Sequence, residues 1–408
     1  MEAARADTTT PDACRACGKP DLELMIDFGE LPLAGGFLDG PDEAAREQRY
    51  PLVLHVCRNC ALVQIVEPVD PDVLFQDYSF SASTIPGLVR HFENYAQWLV
   101  DRYRPEFVVE FGCNDGVLLA PLERVGVRTV GVDIAANITE LARERGHTAI
   151  TGAFTPAVAE QIREEHGQAD VVTGSNVFAH NADPETILEA VRTVLKPGGV
   201  LALEFMYAGD LYEQVQWDTL YHEHLTFYAL GTISRLLERN GFRAVHAERI
   251  PMHGGSLRLV ASMDESVEPD ETIGELLAYE ERMAIVSPDL WTAFADDARR
   301  TIRVVTDVLA RLGESARIWG YGAAGKATMW VNLCNLDYLE AVVDASPLRA
   351  GKLMPGTHTP IVRPEEFQAA VPPEFVFVTA WNYLDAIREN EEWYEGTWIT
   401  PLPKLSFT

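Results

Sequence analysis

Positive charge is scarce in this chain. Its 408 residues hold 33 Lys and Arg against 62 Asp and Glu, a formal charge of −29. That field repels nucleic acid and anionic membrane at long range, so neither is an expected partner. Taken alone, it also fits mere solubility or an acidic, salt-adapted proteome. Long apolar runs are missing too. None is long enough to span a bilayer, and no basic-plus-apolar leader looks like a signal peptide, so a cytoplasmic location is expected. Cysteine numbers only six. In a reducing compartment these are metal ligands or buried thiols rather than disulfides. Residues 1–12 read as a disordered lead. The rest has the composition of an ordinary globular protein and the length of two to three domains.

Cys14-Arg-Ala-Cys17 and Cys57-Arg-Asn-Cys60 are two C-x-x-C knuckles. Together they offer the four thiolates of a tetrahedral, closed, structural zinc site. A redox C-x-x-C is the rival reading, but it needs only one pair. The turn-rich segment between the knuckles has little core of its own, so metal binding would supply its folding energy.

Val108–Gly116 reads VVEFGCNDG, a buried strand ending in Glu110, a tight turn and a helix start. Gly112 and Gly116 let a ligand lie against the backbone, and the helix N-terminus beyond offers free N–H groups. One strand–helix unit later, Thr129–Asp133 ends in an acid suited to a ribose diol. The layout is Rossmann-like, but the loop lacks the G-x-G-x-x-G of pyrophosphate binders. It resembles motif I of class I S-adenosylmethionine (SAM) methyltransferases. Asn114 and Asp115 belong to the same loop. Phe154, after Gly152, is placed to cover an adenine. Asn176 and His180 follow the fourth strand, where doubly wound sheets bind ligands.

Tyr78-Ser79-Phe80-Ser81 precedes a helix over residues 86–102. The stretch is either an N-cap region, for which serine and threonine are suited, or a lid. Tyr221-His222-Glu223-His224 is four titratable side chains in a row. The H-x-H spacing diverges on a helix, which argues against a zincin-type site. In a loop, alternate residues can share a side, and a histidine steered by a carboxylate is a general base. The alternative is a solvated loop. Arg258, in the strand after His253-Gly254-Gly255, could pair with a carboxylate or a phosphate. Residues 270–313 are helical. Gly320-Tyr-Gly322-Ala-Ala-Gly325-Lys326 then repeats the strand–turn–helix pattern, with an acid, Asp344, ending the next strand. G-x-G-x-x-G alone is a weak signal for a dinucleotide.

These motifs, with S-N-V-F-A-H, H-G-G-S-L-R, P-G-T-H-T-P-I and A-W-N-Y, resemble in order the SAM-dependent deoxysugar C-methyltransferases of antibiotic biosynthesis. The resemblance spans nearly the whole chain and is carried most specifically by Y-H-E-H-L. It implies an α/β protein of three units: a zinc-binding module (1–72), a class I SAM methyltransferase domain (73–265) and a second Rossmann-like, sugar-nucleotide-binding domain (266–408). It implies an enzyme that methylates a carbon beside the ketone of a nucleotide-linked 4-keto-6-deoxysugar, C3 favoured over C5, through an enolate; separately, a monomer or small homo-oligomer is expected. His224 would be the base, with Glu223 holding its ring, and Tyr221 and His180 would sit at the sugar. Tyr78 and Ser81 would close over the site. Arg258, Lys326, Arg349 and Lys352 would serve the diphosphate. The competing readings are a SAM-dependent O- or N-methyltransferase of another small molecule, a zinc-ribbon nucleic-acid-binding protein, and an NAD-linked enzyme using Gly320–Gly325.

Overall fold

The computed structural model describes residues 13–75, Tyr78 and residues 80–408. The expected lead over 1–12 and Ser79 lie outside the described residues. Leu22–Leu31 (β1), Tyr50–Cys57 (β2) and Val63–Ile65 (β3) form antiparallel neighbours in the first sheet. Leu52, Leu54 and Val56 alternate onto its buried face, as a half-buried strand requires. Cys57 ends β2 and Cys60 follows the turn, and the Cys14–Cys17 knuckle folds onto them. The four sulfurs all lie within 4.8 Å of one another. That spacing fits one tetrahedral ion with Zn–S bonds of about 2.3 Å.

The second sheet is built from Phe107–Phe111 (β4), Arg128–Asp133 (β5), Ala149–Thr151 (β6), Ala169–Ser175 (β7) and Leu195–Met206 (β8). All five run parallel, and β4 is buried along its whole length, because helices cover both faces. Thr226–Phe227 (β9) leaves this sheet and pairs with β3, so the first sheet borrows a strand from far along the chain. Arg243–Ile250 (β10) and Ser256–Ser262 (β11) return antiparallel, giving the order β10-β11-β8-β7-β4-β5-β6. Strand order reverses between β4 and β7. At such a switch point the loops part and leave a crevice at the carboxyl ends.

Helices Glu271–Arg282 and Pro288–Gly313 lead to the third sheet. Its strands are Ile318–Tyr321 (β12), Val342–Val343 (β13), Ile361–Val362 (β14), Phe375–Val378 (β15), Thr397–Thr400 (β16) and Ser406–Phe407 (β17), in the order β14-β13-β12-β15-β16-β17. All but the last pair are parallel, a second Rossmann-like unit. One buried cluster runs from Leu54 of the first sheet through Trp217 and Trp291 to Trp330 and Phe377. The units therefore share apolar core. Among the described residues no helix is long and apolar enough to cross a membrane.

Candidate active site

A cavity of about 410 Å³ opens at the switch point of the second sheet. Its wall takes residues from all three units: Gly35 and Phe37 from the first, the β4, β5 and β7 ends from the second, and Lys326 and Arg349 from the third.

At one end the chain turns sharply after β4. Gly112 takes φ +68°, and a Cβ there would lie 2.6 Å from the Val177 side chain. Asp133, ending β5, accepts the N–H groups of Asn114 and Ala135, each at 2.9 Å, and still faces the cavity. Phe154 stacks on Phe111 with centroids 5.3 Å apart and planes 6° apart. Among the described residues, three buried polar atoms here have no partner: Glu110 Oε2, Ser175 Oγ and Asn176 Oδ1. Burial pushes the Glu110 carboxyl well above its usual range, with Asp133, Glu204 and Asp115 adding to it. An orphaned carboxyl, a ribose-type acid and a flat aromatic wall are what a cationic nucleoside needs, and the site fits SAM. Asp115 and Gly116 face elsewhere. The Asp115 carboxylate is taken up by Ser81, by Ser83 at 2.6 Å and by Arg145 at 3.0 Å. A Cβ on Gly116 would meet His147 at 2.5 Å. Both shape the loop instead of facing the ligand.

In the middle of the cavity stand His180, Tyr221, Glu223 and His224. The His224 ring lies 4.0 Å from Tyr221 and 5.1 Å from His180, centroid to centroid. Its Nδ1 sits 2.6 Å from the Thr219 carbonyl. A carbonyl only accepts, so Nδ1 carries the proton and Nε2 the lone pair. This corrects the expectation for Glu223: the ring is held by Thr219. Burial, then the neighbouring His180, Lys326 and His253, pull the His224 pKa well below 6.5, so the imidazole is neutral. Burial likewise lowers His180 to about 4. Burial raises Glu223 to about 7, against the pull of Arg349. Tyr221, pushed well above 10 by burial and then by Glu223 and Asp218, is a neutral O–H donor. His222 turns away, its Nε2 3.1 Å from the Tyr50 carbonyl, so the two histidines do not share a side.

Tyr78 also faces the cavity, edge-on to Phe75 at 5.4 Å, and Phe75 stacks on His180 at 6.2 Å. The N-cap reading of this stretch is not what forms. Helix Pro86–Tyr103 starts after Ile85 with no side-chain cap. Ser81 bonds Asp115 and lies off the cavity, so it anchors the loop and does not face a ligand.

Two of the four expected cations line the far end. Lys326 Nζ donates to the His253 carbonyl at 3.3 Å and lies 4.8 Å from the Trp381 ring centroid. Arg349 Nη1 pairs with Asp344 at 3.2 Å, and its buried Nε has no partner among the described residues. Asp344 also accepts the Ala323 N–H at 2.7 Å and, unlike Asp133, does not line the cavity, so it presents no ribose-type acid there. Lys352 is a correction: its Nζ pairs with Asp39 at 2.5 Å, off the cavity.

Arg258 takes the carboxylate alternative of its sequence reading and is not free for a diphosphate. It lies opposite Glu204 and Glu248 in the β8-β11-β10 ladder. Its guanidinium reaches both carboxylates, at 2.6 and 2.7 Å, and rests on Tyr95 and Trp98. Arg258→Ala is therefore expected to cost stability, about 3–5 kcal/mol, because buried Glu204 is left with His91 as its one remaining side-chain partner among the described residues. Chemical denaturation measures this. A variant of native stability would show the pair to be dispensable.

Sequence reasoning missed several wall residues. His253 was read only as part of a turn. It sits there at φ +54°, and burial, then Lys326, lowers it to about 4. The His-Gly-Gly run was the available signal. Gly35 was seen only as a turn residue of the zinc module, Phe37 was not singled out, and Asn382 and Tyr383 entered through the A-W-N-Y motif. For Thr219 no sequence signal existed, since its carbonyl acts through a fold-dependent turn.

Family models match three segments in succession: "Putative zinc binding domain" over residues 14–75, "Methyltransferase domain" over 90–247 and "C-methyltransferase C-terminal domain" over 251–403. The chain is 34% identical over 405 residues to the C-methyltransferase NovU of Streptomyces niveus, covering 96% of each. It is also 33% identical over 95 residues to the ubiquinone biosynthesis O-methyltransferase of Acinetobacter baylyi, covering 22% of this chain and 40% of the relative. Among solved structures, the PH0226 protein of Pyrococcus horikoshii matches at 18% identity and a TM-score of 0.37, over 48% of this chain and 96% of its own.

Proposed function

The chain belongs to the SAM-dependent C-methyltransferases, with zinc in its four-cysteine module, and we propose that its substrate is a nucleotide-linked 4-keto-6-deoxysugar, methylated next to the ketone, with C3 favoured over C5. One observation carries the reading: a single cavity joins the SAM end of the second sheet to Lys326 and Arg349 of the third unit, with a neutral histidine between. A diphosphate needs local cations in a protein of strongly negative charge, and these two supply them.

Glu110, Gly112, Asn114, Asp133, Phe154 and Asn176 are the residues that would hold SAM. SAM supplies an electrophilic sulfonium methyl to a carbon nucleophile. The chain makes that nucleophile. A ketone acidifies the hydrogen on its neighbouring carbon, and His224 Nε2 takes it as a proton, leaving the electron pair on the enolate. Tyr221 donates its O–H to the developing enolate oxygen, with His180 beside it. Donors fixed in advance in a dry site are worth a few kcal/mol at this step, about 3–4 by analogy with oxyanion holes. Tyr78 and Phe75 wall off solvent above the ring. Glu223 faces Arg349 and tempers its charge.

The test is incubation in D₂O with SAM and a panel of TDP-4-keto-6-deoxysugars, including some with no substituent at C3. Deuterium entering one carbon, and methyl arriving there, is the expected result, and NMR names the carbon. No deuterium and no methyl on any nucleotide sugar would overturn the substrate reading and favour an O- or N-methyltransferase of another small molecule.

A further inference from the structure

Asp218 lies three residues before Tyr221, fully buried in the short Trp217–Thr219 helical turn, and the chemistry above leaves it unused. Its Oδ2 accepts two indole N–H groups, from Trp330 at 2.9 Å and Trp381 at 2.8 Å. Its Oδ1 is buried with no hydrogen-bond partner among the described residues. Both tryptophans belong to the third unit. Trp330 is on helix Gly325–Leu333, whose first turn carries Lys326, and Trp381 is the ring beneath the Lys326 ammonium. The residue after Asp218 is Thr219, whose carbonyl holds the His224 ring. A lone carboxylate here is costly to bury. Two indole donors and one nearby ammonium are the groups that compensate it.

We propose that Asp218 is the positioning residue for substrate binding: it holds Lys326, through Trp330 and Trp381, as a charged group aimed at the substrate diphosphate, in fixed register with the base on Thr219's other side. This rests on the nucleotide-sugar reading. Burial depresses the Lys326 pKa, and Asp218 is the group that opposes the fall. His224 and His253 also face Lys326, and both are neutral, so Asp218 is its one opposite charge among these neighbours.

Asp218→Asn tests this, because the amide oxygen can still accept from both indoles while the charge is lost. The probe is thymidine diphosphate, titrated calorimetrically into the full-length, zinc-loaded protein between pH 7 and pH 9. Expected is a loss of nucleotide affinity of about tenfold or more, equivalent to about 1.4 kcal/mol. The loss should deepen toward pH 9 as Lys326 deprotonates, more steeply than any change in wild type. SAM affinity should be unchanged, and kcat at saturating sugar should stay within a few-fold. In a Lys326→Met background, Asp218→Asn should have no further effect on nucleotide binding. That double variant also answers if the single one folds poorly, since both partners are then removed together. Wild-type affinity with a flat pH dependence in Asp218→Asn would overturn the proposal. So would an equal loss with and without Lys326. If wild type binds no nucleoside diphosphate at all, the substrate reading falls and this inference falls with it.

Discussion

His224→Ala is expected to lower turnover about 10²- to 10⁴-fold, the usual contribution of a general base, while SAM affinity stays at its wild-type value. The expectation follows from three features of one ring. Its Nδ1–H is committed to the Thr219 carbonyl at 2.6 Å, so Nε2 is the basic atom. Burial keeps it neutral well below pH 6.5. Its position between Tyr221 and His180 puts an O–H donor and a second imidazole beside the same part of the cavity. The groups proposed to face SAM lie at or just beyond the ends of β4, β5, β6 and β7 and not on the loop that carries His224, which is why cofactor binding should survive. The rival base is Glu223, raised to about 7 by burial. The two are separated by the pH profile. A base with a depressed pKa gives no acid limb near neutrality, whereas Glu223 in that role would give one near pH 7 that Glu223→Gln abolishes. Isothermal titration for SAM and single-turnover rates for methyl transfer measure both halves. Unchanged turnover in His224→Ala would remove it as the base.

What could be read from the sequence was whatever is local. A strand, a glycine turn and an acid one unit later are fixed by neighbours in the chain. So Gly112, Asn114 and Asp133 were found and do border the cavity, and both Rossmann-like patterns became sheets. Two C-x-x-C pairs could announce a four-sulfur cluster because few other arrangements use them. Apart from the local Thr219–His224 turn, the misplacements are matters of long-range pairing. Arg258 meets Glu204 only because β8 and β11 align in one register. Lys352 meets Asp39, and Ser81 meets Asp115, across segments with no sequence signal of their meeting. Three of the four residues in Tyr221–His224 face the cavity, but the turn geometry that sends His222 toward Tyr50 is set by the neighbouring sheet. Nothing in the sequence signalled that β9, from far along the chain, would pair with β3 beside the knuckles.

That borrowed strand makes the largest stability effect an activity effect as well. Cys57→Ser is expected to lose zinc, to unfold at markedly lower temperature and to lose methyl transfer together. Structural zinc contributes about 10 kcal/mol or more of binding free energy, comparable to the whole stability of a typical domain. The segment between the knuckles cannot replace that from its own small core. The damage would not stay local. Arg15, inside the first knuckle, donates to the Ala182 carbonyl at 2.9 Å, and Thr232 donates to that of Cys60 at 3.1 Å. β2 continues into the Cys57 turn and back as β3, which pairs with β9 just after the Tyr221–His224 segment. Ile65 N–H donates to Leu225 at 2.9 Å, and Leu225 N–H donates to Ala179 at 2.9 Å, next to His180. Losing the four-sulfur cluster would thus loosen His180 and His224 through backbone hydrogen bonds. Metal content by plasma mass spectrometry, thermal melting and turnover on one preparation measure the three losses. A variant that stays folded and active without zinc would refute the structural role of the metal. One that keeps its melting point but loses turnover would place the coupling in the β3–β9 pairing alone.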